Sequence, residues 1–118
     1  MKQPRVHEFI AALGRSDPAA IAVIDGARMV TYRDLDRLAR RMAAWLERQG
    51  LRPGDRVGIT IRADLAHLVA TLGLMRLGCD QIGLASLDTP AMRADLARRV
   101  GVVAILADQD ADAIEGAG

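Results

Sequence analysis

The sequence predicts an α/β fold: a mostly parallel, Rossmann-like layered sheet with flanking helices and an initial antiparallel β-hairpin. Its 118 residues fall in the commonest size range for one domain. β-prone runs alternate with helical stripes in the order β-α-β-α-β. The run VVAILA at 102–107 is almost wholly apolar, as in parallel strands buried on both faces. Right-handed crossovers would then place the helices against the sheet.

The first elements are a leading helix at 1–14 and a hairpin. Val6, Phe9, Ile10 and Leu13 share one helical face, and Gly14 is suited to end the helix. The run AIAVIDGARMVT places two β-prone segments around Asp25-Gly26, a pair favoured in tight hairpin turns. We therefore expect 21–24 and 28–31 to pair antiparallel.

The next helix has a clear start and two distinct faces. Thr31 is suited to be the N-cap and Asp34 the acidic third residue, so the helix is expected to start at Tyr32. One side is apolar, through Leu35, Leu38, Ala39, Met42, Trp45 and Leu46, and the opposite side is rich in arginine. The arginines at 37, 40 and 41 are interleaved with Asp34 and Asp36, which favours a solvated helix face over a phosphate-binding patch.

The rest of the core alternates strands and helices. After a turn at 52–55, alternating apolar residues from Val57 to Ile61 predict a strand. A helical stripe follows at 65, 68, 69, 72 and 75, and Gly78 ends it. CDQIGLAS at 79–86 is the expected returning strand, and Pro90 opens the next helix. We thus assign the α/β core to 19–107 and a frayed tail to 108–118, all within one domain, 1–118.

Composition excludes several classes of protein. Lys+Arg 16 against Asp+Glu 15 leaves a formal charge of +1, which indicates neither a nucleic-acid surface nor an acidic tail. A single cysteine, Cys79, excludes an intrachain disulfide and suits a reducing compartment. No run reaches the ~18 apolar residues of a membrane span, and Met1–Leu13 lacks the apolar core of a signal peptide. We expect a cytoplasmic protein.

Two loop-like motifs resemble ligand sites only in part. Gly73 and Gly78 have phosphate-loop spacing, but Cys79-Asp80 follows where Lys-Ser/Thr is needed, so helix and C-cap are expected. Asp108, Asp110 and Asp112 alternate like a calcium loop, but Ala113 replaces the turn glycine.

Two reactive residue types have no partner in the sequence. His67 lies beside an apolar stripe, and Cys79 lies at a strand start with no matched histidine. Both are predicted to be structural. We therefore predict no catalytic, cofactor-binding or metal-binding residue in this chain.

Four motifs, in order, carry a resemblance to a known family. They are Asp25-Gly26, Thr31-Tyr32-Arg33-Asp34-Leu35, Gly50-Leu-Arg-Pro-Gly54-Asp55-Arg56-Val57 and Met75-Arg76-Leu77-Gly78. From about Ala19 to Ala107 the chain resembles the amino-terminal part of the adenylate-forming superfamily, which includes acyl- and aryl-CoA ligases, adenylation domains of peptide synthetases and luciferases. Arg62–His67 departs from the family's P-N-x-x-E-F, and 79–90 departs from its apolar run into V-P-L-D-P.

The resemblance implies a two-step parent enzyme. A carboxylate and Mg-ATP would give an acyl-adenylate, and coenzyme A or carrier-protein pantetheine would then displace AMP. The family's phosphate loop, magnesium-binding Glu, ribose-binding Asp, hinge and C-terminal Lys lie downstream of the matched region. The resemblance thus implies a fragment of a larger domain, a scaffold inactive alone, with ATP, Mg and CoA or pantetheine bound by the full-length parent.

Partners and rival functions stay open at this point. The expected partner is the missing remainder of the ligase, and an uncovered sheet edge or face would allow self-association as a dimer. A free-standing, non-catalytic α/β binding or interaction module is the alternative. A doubly wound nucleotide-binding protein would need a glycine-rich first β-α turn, where this chain has Arg62-Ala63-Asp64.

Overall fold

The computed structural model describes residues 5–84 and 89–110, and this part of the chain forms four helices and five strands. In chain order they are α1 (Val6–Ser16), β1 (Ile21–Asp25), β2 (Arg28–Thr31), α2 (Tyr32–Arg48), β3 (Arg56–Ile59), α3 (Asp64–Leu77), β4 (Asp80–Gly83), α4 (Pro90–Val100) and β5 (Ala104–Leu106).

The hairpin forms where the sequence predicts it. β1 and β2 pair antiparallel, with Asp25 opposite Arg28, and Gly26 takes φ +62° in the turn. This positive φ favours glycine, which has no Cβ to clash with the backbone. The hairpin is a separate two-stranded sheet, and Val30 anchors its inner side in the core.

β3, β4 and β5 form a parallel sheet in the order β4-β3-β5. The α/β fold class with an initial hairpin is thereby confirmed. The chain crosses from β3 to β4 in one direction and from β4 back over β3 to β5 in the other. Because such crossovers are right-handed, α3 and α4 belong to opposite faces of the sheet.

The core lies between α2, α3 and one face of this sheet. Its most buried large side chains are Val30, Leu35, Met42, Leu46, Val57, Leu72 and Leu74. The predicted apolar face of α2 is confirmed. The predicted solvated face is confirmed as well, because Arg37 and Arg40 are exposed and Arg40 pairs with Asp36 at 2.8 Å across one helical turn.

The leading helix differs from its prediction in two ways. α1 continues past Gly14 to Ser16, so Gly14 does not end it. Gly14 lies against α2, where an added Cβ would be 3.4 Å from Asp36 Cβ, an ordinary van der Waals distance. Val6 and Phe9 are more than half exposed, whereas Ala11 is buried. The buried side of α1 is thus the one that meets α2 and α3, and the apolar pattern alone did not identify it.

The last strand also differs from its prediction. β5 has only three residues and lies at the edge of the sheet that the described strands form. Ile105 is 38% exposed and Val103, just before the strand, is 61% exposed, so burial on both faces is wrong. An edge strand beside an incompletely covered face leaves these side chains in water.

The predicted returning strand and the predicted tail extend beyond the described residues. The returning strand is confirmed at Asp80–Gly83, and its predicted end at 85–86 lies outside them. Residues 108–110, predicted to be frayed, form a helical turn in which Asp110 accepts a hydrogen bond from the Ala107 amide. Residues 111–118 lie outside the described part of the chain.

Candidate functional site

In open α/β sheets, ligands bind at the carboxyl ends of the strands. At that edge of this sheet, the segments after β3 and β5 meet. Thr60 donates both its amide, at 2.9 Å, and its hydroxyl, at 3.2 Å, to the carbonyl of Leu106. The Arg62 amide donates to Asp108 Oδ1 at 2.9 Å. We call the group Thr60, Arg62, Asp108 and Asp110 the carboxyl edge.

The carboxyl edge joins two loops. Asp108 accepts from the Arg62 amide, and Asp110 accepts from the Ala107 amide at 2.8 Å. A bound phosphate would need free backbone amides as donors, but these two amides already donate to carboxylates. The negative charge of the carboxylates would also repel a phosphate. The edge therefore holds the ends of β3 and β5 in place, and its described residues do not form a phosphate cradle.

The Gly73–Gly78 segment is helix, as the sequence predicts. Gly73 is buried within α3, and Gly78 caps the helix with φ +90° while its amide donates to Leu74. The amides of a phosphate-binding loop must instead point freely at the ligand. Gly73 serves packing, because a Cβ there would lie 2.8 Å from Met42 Cβ.

The Cys79 thiol is buried, and its environment disfavours the thiolate. Its Sγ donates to the Arg52 carbonyl at 3.4 Å. Burial raises the pKa of Cys79, and the carboxylates of Asp55 and Asp80 raise it further. Because the thiolate is the nucleophilic form, Cys79 is suited to packing.

His67 is exposed on α3, and its backbone amide belongs to the helix, donating to Ala63 at 2.8 Å. Its side chain lies on the surface of α3, outside the core. The structure therefore keeps His67 and the buried Cys79 in separate environments.

A second imidazole, which sequence reasoning missed, lies in a groove of about 440 Å³ between α1 and α3. Within the described chain, His7 Nδ1 is buried without a hydrogen-bond partner. Burial lowers the pKa of His7, Glu8 partly opposes this effect, and Arg5 and Arg76 lower it further. His7 and Arg76 are far apart in sequence, so no local motif could have revealed the groove.

Metal clusters and membrane spans are both missing from the described residues. Across 5–84 and 89–110, no three His, Cys, Asp or Glu side chains converge to hold a metal ion. No helix in this part of the chain is both long and apolar enough to cross a membrane.

Comparisons with known proteins agree with one another. The sequence pattern of a family described as "AMP-binding enzyme" matches residues 11–117. A linear gramicidin synthase of Brevibacillus parabrevis is 34% identical over 73 residues, which cover 62% of this chain and 1% of that protein. The AMB antimetabolite synthetase AmbB of Pseudomonas aeruginosa is 36% identical over 73 residues, which cover 62% of this chain and 6% of that protein. The chain thus spans only a few per cent of the length of these relatives.

Two solved structures share the fold. The N-terminal subdomain of Klebsiella oxytoca NpsA, in complex with anthranilyl-AMSN, matches with a TM-score of 0.82 at 23% identity, covering 91% of this chain and 28% of its own. O-succinylbenzoate coenzyme A synthetase of Bacillus subtilis, in complex with AMP, matches with a TM-score of 0.79 at 23% identity, covering 89% of this chain and 27% of its own. The chain therefore belongs to the AMP-binding enzyme family and forms an amino-terminal part of an adenylate-forming domain.

Proposed function

We propose that this chain is the amino-terminal part of an ATP-dependent ligase that activates a carboxylic acid and passes it to a thiol. The family match over residues 11–117 carries the proposal. In the first step, a carboxylate oxygen attacks the α-phosphorus of ATP, and the bond to pyrophosphate breaks. In the second, the sulfur of coenzyme A or of a carrier-protein pantetheine attacks the acyl carbon, and AMP leaves.

The described residues do not fit ATP or magnesium. Phosphoryl chemistry needs oriented donors and cations around the transferring charge. At the carboxyl edge, Asp108 and Asp110 accept hydrogen bonds from backbone amides. The segment from Gly73 to Gly78 is a packed helix and its C-cap. We therefore assign no step of the chemistry to these residues and place the ligands for ATP and Mg in the rest of the domain.

The role we propose for this chain is a scaffold. α2 and α3 pack as one layer on the sheet, and the hydrogen bonds at the carboxyl edge fix where β3 and β5 end. A rigid scaffold matters for catalysis because small displacements of the reacting groups slow a reaction strongly. We assign the selectivity for the carboxylic acid and for the thiol to residues outside this scaffold.

Carboxylate-dependent ATP–pyrophosphate exchange tests this proposal. The purified 118-residue chain should stay at background with fatty, aryl and amino acids, because its described residues form no site that fits ATP. A protein in which the reading frame continues past Gly118 through a complete adenylation domain should exchange with at least one of these acids. Carboxylate-dependent exchange by the chain alone would contradict the scaffold role. A stop codon directly after Gly118 would favour the alternative, a free-standing binding module.

A further inference from the structure

The groove of about 440 Å³ between α1 and α3 has no part in the proposed ligase chemistry. Its lining residues are His7, Glu8, Ala11, Arg15 and Arg76, and we call it the His7 groove. Volumes of several hundred Å³ are typical of sites for small molecules. The groove is therefore large enough for a small ligand, and its lining decides which chemical class fits.

One face of α1 forms a wall of the His7 groove. His7, Ala11 and Arg15 follow one another at four-residue spacing, so they lie in a row along the helix. Ala11 is buried and has only a methyl side chain, which leaves space between the two polar residues. α3 contributes Arg76 from its last turn. The groove thus brings polar groups from two helices together around a small apolar residue.

The charges in the His7 groove favour an anion. Arg15 and Arg76 bring two guanidinium groups, and Glu8 brings one carboxylate. Across 5–84 and 89–110, no ion pair neutralises either guanidinium. Glu8 already accepts a hydrogen bond from the Arg5 amide at 3.2 Å, as part of the capping box that starts α1. The groove therefore has a net positive charge, and its guanidinium groups can bind an anion.

The His7 ring adds a neutral donor. Nδ1 is buried without a hydrogen-bond partner among the described residues, which disfavours a proton on that nitrogen. Burial lowers the pKa of His7, Glu8 partly opposes this effect, and Arg5 and Arg76 lower it further. The imidazole is therefore neutral at pH 7 and carries its proton on Nε2, the ring nitrogen that is left to donate to a ligand.

Arg76 lies far from the carboxyl edge. α3 connects the parallel strands β3 and β4, so its last turn is beside the amino ends of the strands. The Gly54 amide, just before β3, donates to the Gly78 carbonyl, just after α3, at 2.9 Å. Ligands of open α/β sheets bind at the opposite end, where the strands finish. A ligand held by Arg76 would therefore be separate from a ligand at the carboxyl edge.

We propose that the His7 groove is a binding site for a phosphate group, held by the guanidinium groups of Arg15 and Arg76 and by the Nε2–H of His7. Three donors on separate side chains match the three terminal oxygens of a phosphate, whereas a carboxylate offers only two oxygens. The groove has room for an organic group beside the phosphate, so a phosphate monoester fits as well as free phosphate. The site does not depend on the proposed ligase reaction.

Titration of inorganic phosphate into the purified 118-residue chain, followed by NMR, tests the site. The chain has two histidines, and His67 on the exposed surface of α3 is the internal reference for His7. His67→Gln tells their signals apart. At pH 7 and constant ionic strength, the ring C–H signals of His7 should shift to saturation while those of His67 stay nearly constant. The bound anion should also raise the pKa of His7, because a nearby negative charge favours the imidazolium.

Variants test which side chains hold the phosphate. Arg76→Gln and Arg15→Gln should each weaken binding by about ten-fold or more, because each removes a charged donor. Arg48→Gln is the matched control and should leave the affinity unchanged, since Arg48 also lies in the last turn of a helix but does not line the groove. Glu8→Gln keeps a side chain that can cap α1 and removes a negative charge, so it should strengthen binding.

Two further ligands identify the chemistry and its source. Acetate should bind several-fold more weakly than phosphate. Tighter binding of glycerol 3-phosphate than of inorganic phosphate would assign the site to a phosphate monoester, and equal binding would assign it to free phosphate. Both of these results support a phosphate site.

Three results would overturn the phosphate site. The first is a shift of the His7 signals that does not saturate or that His67 shares, which the wild-type chain shows without any variant. The second is an equal effect of Arg76→Gln and Arg48→Gln on the affinity. The third is acetate binding as tight as phosphate binding, which would assign the groove to carboxylates.

Discussion

Gly73 shows how one residue sets the distance between two helices. In an exposed helix, alanine stabilises relative to glycine by ~1 kcal/mol. Here a Cβ would lie 2.8 Å from Met42 Cβ and 3.2 Å from the Ala43 amide nitrogen, so α2 and α3 must move apart. Overpacking of this kind costs about 1–3 kcal/mol. We therefore expect Gly73→Ala to lower the free energy of unfolding by roughly 1–2 kcal/mol in urea titrations.

Gly83→Ala is the matched control for this prediction. Gly83 has no positive φ, and no atom of the described residues lies within 4 Å of its Cβ position. Its substitution should change stability by less than about 0.5 kcal/mol. An unchanged or higher urea midpoint for Gly73→Ala would show that the helices can separate without loss.

Cys79 should be an unreactive thiol in the folded protein. Burial and two carboxylates raise its pKa, which lowers the thiolate fraction at neutral pH. Its reaction with a thiol-specific reagent should therefore be many-fold slower in buffer than in denaturant, with the denatured chain as control. Because the unfolded thiol ionises first as pH rises, stability should fall above pH ~8.5, and Cys79→Ala should reduce this fall. Equal reaction rates in the two states would contradict the burial of Cys79.

At the scale of the element, α2 depends on its start signal. The Thr31 hydroxyl accepts a hydrogen bond from the Asp34 amide at 3.1 Å, as the sequence predicts. Removing such a cap costs ~1 kcal/mol. Thr31→Ala should lower the free energy of unfolding by about that amount. Thr31→Ser keeps the hydroxyl and should keep most of the stabilisation by the cap. Equal stability of the two variants would mean that packing alone fixes where α2 starts.

At the scale of the whole molecule, the uncovered surface predicts association. Apolar burial favours contact by roughly 25 cal/mol per Å² before the costs of association are subtracted. We expect weak self-association of the isolated chain, as a dimer, through the exposed apolar side chains of Met92, Leu96, Val103 and Ile105. In sedimentation equilibrium the average mass should rise above 12.7 kDa with concentration, and Val103→Asp should reduce the rise. A single 12.7 kDa species at all concentrations would contradict this expectation.

Local signals in the sequence were enough for most of the fold. The Asp25-Gly26 turn, the Thr31 cap and Gly78 each act over a few residues, and each forms as predicted. The failures at Gly14 and Phe9 have a different cause, because a helix's apolar pattern does not say which neighbour it meets. The His7 groove was missed because it joins residues from two helices.

The sequence by itself determined the order of strands and helices, their caps and turns, and membership of a family, because these depend on short-range chemistry and on motifs in a fixed order. Only the tertiary structure decided that β5 is an edge strand, that Val103 and Ile105 face water, and that Asp108 and Asp110 bind backbone amides. The physical reason is that exposure and hydrogen-bond partners depend on which distant segments meet. An apolar run such as 102–107 has the same sequence whether another strand covers it or not.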